Sequence, residues 1–249
     1  MTSSMDAILQ VTDKTKLPQH VGIIMDGNGR WAQAKGKERV QGHYAGAKRV
    51  KPILKLAKRL KIKYLSVYAF SIENWLRPSF EVSFIMNLIK DYLQELRQEM
   101  IDEGVFFNFM GRRENLSKAV IKEIELTKEA TKNNNTITLN LCINYGGRAE
   151  LADAFKAMLQ NNVKPEDVTE ELISKYLYCP EVPDADLIIR TGGDMRVSNF
   201  LLWRSAYSEL YFTETYWPDF SDEEFCDAVW SFMNRERRFG KTGDQVKKK

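Results

Sequence analysis

Carboxylate, amide, glycine and arginine residues gather at four places in this sequence, each just after an apolar run. Asp26-Gly-Asn-Gly-Arg-Trp31 is the first and Ser71-Ile-Glu-Asn-Trp-Leu-Arg77 the second. Asn144-Tyr-Gly-Gly-Arg148 and Arg190-Thr-Gly-Gly-Asp-Met-Arg-Val-Ser-Asn199 complete the set. Glycines let backbone N–H groups approach an anion, and arginine offers a planar fork that matches phosphate oxygens in pairs. Arg30, Arg77, Arg148, Arg190 and Arg196 are more than one phosphate needs, so two anionic groups are expected. For any single arginine, a surface ion pair is the alternative.

Asp26 needs a separate account. A carboxylate ending a buried strand costs free energy unless it is paired or holds a metal, and beside a phosphate loop it would repel the ligand. Magnesium resolves the conflict by bridging carboxylate and phosphate oxygens; helix capping is the structural alternative. Glu209, which opens a late strand, is a second candidate ligand. His43, in Gly42-His-Tyr-Ala-Gly46 at an expected helix start, suits either a structural role or donation to a phosphate or leaving group. The Walker pattern fails, because Gly36-Lys37 is followed by Glu38. Gly27-Asn-Gly29-Arg-Trp-Ala32 fits the dinucleotide pattern loosely. Arg30 and Trp31 are bulky for a tight helix start, and no acidic residue follows about 20 positions on.

The elements that must position these residues alternate. Strands are expected over His20–Asp26, Tyr64–Ser71, Val105–Gly111, Ile137–Tyr145, Ala185–Thr191 and Glu209–Thr215, with an apolar piece at Phe200–Trp203. Helices are expected over Ala45–Leu60, Phe80–Asp102, Glu114–Thr131, Glu150–Leu159 and Glu170–Leu177. Ser221 with Glu224 forms a capping-box signature for a last helix ending near Arg238. One α/β domain with a mostly parallel central sheet follows, its strand ends converging on one edge. The Phe80–Asp102 helix is apolar over more than a stripe, so it is either buried on two sides or lines an apolar cavity.

The 249 residues carry 43% hydrophobic and 29% charged side chains, enough for a sizeable core. A net charge of +3 without a basic block argues against nucleic acid. Cys142, Cys179 and Cys226 are too scattered for a disulfide framework or structural zinc. With no signal-peptide core and no apolar run of membrane-spanning length, a cytoplasmic protein is expected. Residues 1–16 and the basic 241–249 are expected to be flexible ends around a catalytic domain over 17–240.

The blocks HVGIIMDGNGRWA, GHYAGAK, LSVYAFSIENWLRP, NYGGRAE, DLIIRTGGDMRVSNFLLWRSAYSELYFTE, WPDF and NRERRFG closely resemble the cis-prenyltransferase (isoprenyl transferase) family, in family order, over residues 20 to 240. The resemblance is greatest to the bacterial branch that makes undecaprenyl diphosphate. It implies a hydrophobic tunnel beside the sheet and a homodimer. It also implies magnesium-dependent condensation of farnesyl diphosphate with successive isopentenyl diphosphates, and membrane contact on product release. By position it makes Asp26 catalytic and, with Glu209, the magnesium site. Gly27, Asn28, Gly29 and Arg30 wrap the allylic diphosphate, with Trp31, Arg39 and His43 beside it. Ser71, Ile72, Glu73, Asn74, Trp75 and Arg77 lie between the substrates, with Asn74 the proton acceptor. Arg190, Arg196, Val197 and Ser198 take isopentenyl diphosphate, and Arg238-Phe-Gly240 reaches a neighbouring subunit. There is no Asp-Asp-x-x-Asp, the metal motif of the trans-type enzymes. A dinucleotide oxidoreductase and a non-catalytic subunit of the same fold are the competing readings.

Overall fold

The computed structural model describes residues 16–238 together with Ile8 and Thr242; the expected flexible ends and Phe239-Gly240 lie outside the described residues, apart from those two and Lys16. Six strands form one sheet: β1 (His20–Ile24), β2 (Tyr64–Ser71), β3 (Val105–Met110), β4 (Ile137–Tyr145), β5 (Leu187–Arg190) and β6 (Glu209–Phe212). The order is β3-β4-β2-β1-β5-β6 and every pairing is parallel. The helices are α1 (Asn28–Ala34), α2 (Arg39–Arg59), α3 (Ser79–Asp102), α4 (Lys118–Thr131), α5 (Gly147–Gln160), α6 (Glu170–Tyr176) and α7 (Asp222–Met233). Short 3₁₀ turns cover Ile72–Leu76, Pro165–Asp167 and Trp217–Asp219. Among the described residues, no helix is long and apolar enough to cross a membrane.

Alternation along the strands builds a core on each face. Val21, Ile23, Leu65, Val67, Leu139, Leu187 and Ile189 join the larger core, which also takes buried side chains from α2, α3, α4 and α7. Ile24, Tyr68, Cys142 and Ile188 join the smaller one with Tyr145, Phe200 and Leu201. The apolar piece Phe200–Trp203 is a turn whose Phe200 and Leu201 plug this core. On the smaller face, Gly22, Ser66, Asn140 and Asn108 stand side by side in the register. The chain leaves β1 toward β2 and later returns on its other side as β5. The β1/β5 seam is thus the switch point, and a ligand crevice opens beyond its carboxyl ends.

The expected bounds of β2 and β4 match. The other elements differ at one or both ends, the largest shifts for local reasons. α2 starts at Arg39, six residues early, because Gly42 and Gly46 are not breakers: each lies where a Cβ would collide with Asn28. His43 is accordingly inside the helix, not at its start. The helix α1 does open after Gly27 despite Arg30 and Trp31. β6 ends at Phe212 because the Thr213 and Thr215 hydroxyls turn to Glu224. The Ser221/Glu224 capping box forms, and α7 stops at Met233.

His20 ties β1 to this frame. Its Nδ1 donates to the Pro183 carbonyl at 2.8 Å, so Nε2 must accept from the Ser66 hydroxyl at 2.7 Å. Asn140 Nδ2 donates to the same hydroxyl at 3.0 Å. Complete burial lowers the His20 pKa from 6.5 to about 4. The unfolded chain therefore binds a proton that the folded one refuses in that window, and stability falls as pH drops from 6.5 toward 4. This one residue should cost roughly 3 kcal/mol across it. Denaturant titrations at several pH values should show the loss, and His20→Gln should flatten the slope; an unchanged slope would refute the assignment.

Candidate functional site

The crevice at the β1/β5 seam is built around a paired charge. Arg190, the last residue of β5, is 4% exposed and donates from NH2 to Asp26 Oδ2 at 2.8 Å. Its NH1 donates to the Arg196 carbonyl and, at 2.7 Å, to Ser198 Oγ. Asp26 Oδ1 accepts from the Gly27 N–H at 2.6 Å and lies 3.2 Å from Arg30 NH2. Gly27 has φ +99, and a Cβ there would strike Tyr216 at 2.5 Å, so this turn demands glycine. Burial pushes the Asp26 carboxyl upward. The Arg190 hydrogen bond, the Gly27 N–H and the Arg190 and Arg30 charges outweigh it and hold the pKa below the ordinary carboxylate value. Asp26 is thus ionised at neutral pH. Thr191 Oγ1 donates to the Asp26 carbonyl at 2.8 Å and fixes the backbone.

A second carboxylate organises the opposite wall. Glu81, in the first turn of α3, is 2% exposed. It accepts from His43 Nε2 at 3.0 Å, Arg77 NH1 at 3.2 Å and Arg39 Nε at 3.3 Å. Burial opposes its ionisation, but the His43 and Arg39 hydrogen bonds win and lower its pKa. Burial lowers the His43 pKa, against the pull of Glu81. Three residues expected to bind substrate, Arg39 and His43 from α2 and Arg77 from the segment after β2, thus converge on one carboxylate that carried no expectation from the sequence. Asp194 was missed as well; it lies 2.9 Å from Arg196, 3.4 Å from Arg30 and 3.5 Å from Arg190. Glu81 had a signal, an acid at first-turn spacing from Arg77; Asp194 had only its place in the glycine-rich run.

Between these walls lies the 3₁₀ turn Ile72–Leu76. Asn74 Oδ1 accepts from the Ser71 N–H at 3.0 Å and caps the turn. Trp75 donates Nε1 to Asn144 Oδ1 at 2.7 Å and stands edge-on to Phe70. Glu73 accepts from Asn199 Nδ2 at 2.9 Å. Trp31 lies beneath Lys35, whose Nζ is 4.1 Å from its ring.

Asp26, Asn28, Arg30, Arg39, His43, Ser71, Asn74, Arg77, Arg190 and Ser198 line a polar cleft of about 510 Å³, while Trp31, Ile72, Trp75, Arg196 and Val197 are not on its walls. Beside it an apolar cavity of about 140 Å³ lies between α2, α3 and the sheet. Val50, Leu54, Ile89, Leu93, Phe107 and Leu139 are on its walls. Met25, Asn28, His43 and Ala69 border both spaces.

Glu209 does not join this site within one chain. It pairs with Leu187 at the start of β5, while Arg190 pairs with Phe212 at the far end. It therefore sits about 16 Å from Asp26 along the strand direction, bonded to Arg235 at 2.7 Å. Among the described residues, no three acidic, His or Cys side chains cluster as a ready metal site. Asp26 alone fits a magnesium ion that takes most of its ligands from phosphate and water, the usual habit of that ion.

The fold and crevice define an α/β enzyme that holds anionic groups next to an apolar cavity. The undecaprenyl diphosphate synthase family model, Prenyltransf, matches residues 24–240. The chain is 50% identical over 224 residues to the isoprenyl transferase of Fusobacterium nucleatum, covering 90% of this chain and 96% of that protein. It is 47% identical over 227 residues to that of Thermotoga maritima, covering 90% and 97%. A crystal structure of lavandulyl diphosphate synthase from Lavandula x intermedia with dimethylallyl diphosphate superposes with TM-score 0.88 at 31% identity, over 91% of this chain and all of that one. A probable undecaprenyl diphosphate synthase from Campylobacter jejuni gives 0.77 at 33%, over 90% and 99%. The chain belongs to the undecaprenyl diphosphate synthase family and is a prenyltransferase.

Because Glu81 anchors Arg39, His43 and Arg77 together, Glu81→Gln should weaken all three anchors at once. A loss of roughly tenfold to hundredfold in kcat/KM for the diphosphate substrates is expected. Steady-state kinetics would check it, and wild-type values would exclude an organising role.

Proposed function

We propose that this prenyltransferase condenses farnesyl diphosphate with successive isopentenyl diphosphates, forms a cis double bond at each step, and releases undecaprenyl diphosphate, the lipid-carrier precursor for cell-wall synthesis. The observation that carries this reading is the arginine-lined cleft bordering an apolar cavity at Met25, Asn28, His43 and Ala69. Such a junction suits a ligand with a diphosphate at one end and a hydrocarbon at the other. The lavender relative's structure holds dimethylallyl diphosphate, which supports a substrate of this class.

In this reading Gly27, Asn28, Gly29 and Arg30, with Trp31, Arg39 and His43, surround the allylic diphosphate. Arg190, Arg196, Val197 and Ser198 take the isopentenyl diphosphate. Asp26 would hold magnesium together with diphosphate oxygens; when bound, the ion supplies neutralisation of the charge on the leaving group. The allylic C–O bond breaks with its electron pair on the diphosphate, where the nearby arginines stabilise it. The isopentenyl double bond supplies the electrons of the new C–C bond. Loss of a proton from the resulting cation then sets the new double bond. Asn74 Oδ1 is already committed to the Ser71 N–H, and a neutral amide is a weak base. The departing diphosphate therefore takes the proton, with Asn74, Ser71, Ile72, Glu73, Trp75 and Arg77 orienting the reactants.

Chain growth fills the apolar cavity, which acts as the tunnel. Burial at ~0.8 kcal/mol per CH₂ makes each five-carbon unit favourable by roughly 3–4 kcal/mol. A filled tunnel therefore releases product slowly, and delivery is to a membrane; Leu76 (91% exposed) and Phe80 (65%) lie next to Arg77 at the cleft and suit that contact. The open edge of β6, with the exposed apolar residues Tyr207 and Leu210, suits a homodimer. Glu209 then joins a magnesium site only where a neighbouring subunit brings its cleft to this edge.

Incubation of the pure protein with farnesyl diphosphate, isopentenyl diphosphate and magnesium should give a C55 product; absence of elongation would overturn the reading. Ala69 borders both spaces, so Ala69→Leu should shorten the products. Unchanged lengths on thin-layer chromatography would exclude the cavity as the tunnel.

A further inference from the structure

Asn199 is the residue at which the loops after three different strands meet. Its Oδ1 accepts from the Arg148 N–H at 2.9 Å, and its backbone carbonyl accepts from the Gly147 N–H at 2.7 Å, both at the start of α5. Its Nδ2 donates to Glu73 Oε1 at 2.9 Å, in the 3₁₀ turn after β2. Asn199 itself follows Ser198, to which Arg190 donates from the end of β5. The amide is thus fully directed: its oxygen holds one loop and its nitrogen another. Because a backbone N–H can only donate to Oδ1, the orientation of the amide is fixed.

Two further features show that this contact is built. Gly146 has no side chain where a Cβ would lie 2.6 Å from Asn199 Nδ2 and 3.4 Å from Ile72 Cδ1, so the amide passes to Glu73 through that gap. The backbone around it is strained. Ser198, Asn199 and Leu201 have φ of 46, 65 and 44, a left-handed run without glycine. Such a run persists only where its surroundings over-determine it. The buried Phe200 and Leu201 hold it from below, and the Arg148 and Gly147 N–H groups hold it from the side.

We propose that Asn199 is a positioning residue that clips the Ile72–Leu76 turn to the loop carrying Arg196, Val197 and Ser198, so that the second diphosphate subsite and Asn74 are set together. This rests on the substrate assignment above. In this arrangement the contact carries information one way in particular. Displacing the Arg190–Ser198 loop moves Glu73, and with it the turn that Asn74 caps, while the Asp26–Arg30 wall has no bond to Asn199. Loss of the clip therefore impairs use of isopentenyl diphosphate and leaves farnesyl diphosphate binding intact.

The test is a double-mutant cycle. Asn199→Asp keeps an acceptor for the Arg148 N–H and tolerates a left-handed backbone, but sets a carboxylate against that of Glu73. Glu73→Gln then restores a donor across the same gap. Asn199→Asp should lower kcat/KM for isopentenyl diphosphate by about tenfold or more, with the dissociation constant of farnesyl diphosphate within about twofold of wild type. Glu73→Gln added to Asn199→Asp should recover most of that loss. Asn199→Gly, which keeps the backbone and removes the amide, should show the same loss and gain nothing from Glu73→Gln; it also serves if the Asp variant does not fold. Additive effects in the cycle, or a wild-type rate in Asn199→Gly, would overturn the proposal. A wild-type protein inert toward both substrates would instead overturn the substrate assignment.

Discussion

The Arg190–Asp26 pair is the interaction on which the crevice depends. A guanidinium that is almost completely buried is costly unless its donors are matched, and removing one member of a buried pair typically costs about 3–5 kcal/mol. Asp26 takes NH2, and the Arg196 carbonyl and the Ser198 hydroxyl take NH1; Nε alone is buried without a partner. The pair joins the ends of two adjacent strands whose connections run in opposite directions. The pair thus fixes the first glycine loop and the ionisation of the carboxylate, while NH1 of Arg190 holds the strained segment through Ser198. The sheet supplies the seam, and the pair turns it into a site.

The positive charge of the cleft is held in balance before any substrate arrives. Asp26 and Asp194 occupy Arg30 and Arg190, and Glu81 occupies Arg39, His43 and Arg77. A cluster of unneutralised arginines would destabilise the fold by mutual repulsion. Diphosphate binding is then an exchange of partners rather than the filling of a bare positive surface. The less buried arginines change partners most readily: the Arg196 side chain is 62% exposed and that of Arg190 only 4%. Arg196 suits capture, and Arg190 suits the fixed geometry against which capture occurs.

The strand-end clusters were legible because they follow from topology: a parallel sheet puts Asp26, Ser71, Asn144 and Arg190 on one edge whatever the loops do. The family blocks then carried roles to individual residues. Glu81, Asp194 and Asn199 were not assigned, because what distinguishes them is a long-range contact. Glu81 lies 38 residues from His43, and Asn199 lies 126 from Glu73. No periodicity encodes such separations. Gly42 and Gly46 misled the placement of α2 for the same reason: their small size serves a helix packed on Asn28, a contact invisible in local propensity. Glu209 was carried by position alone, and strand register sets it at the opposite end of the strands from Asp26 within one chain.

The polar row Gly22–Ser66–Asn140–Asn108 on the smaller face bears on how the chain finds this arrangement. Side chains alternate faces along a strand, so a slip of one residue between neighbours would put Ser66 or Asn140 into the larger apolar core and leave its hydrogen bonds unmade. Parallel strands joined by long crossovers offer many such slips during folding, and local contacts do little to reject them. The row works as a key cut for one alignment. A slipped β1 or β5 would carry Asp26 about 3.3 Å from its place against Arg190, further than a hydrogen bond tolerates. Fidelity of folding and fidelity of catalysis are therefore set by the same alignment, and four residues remote from the cleft guard its tolerance.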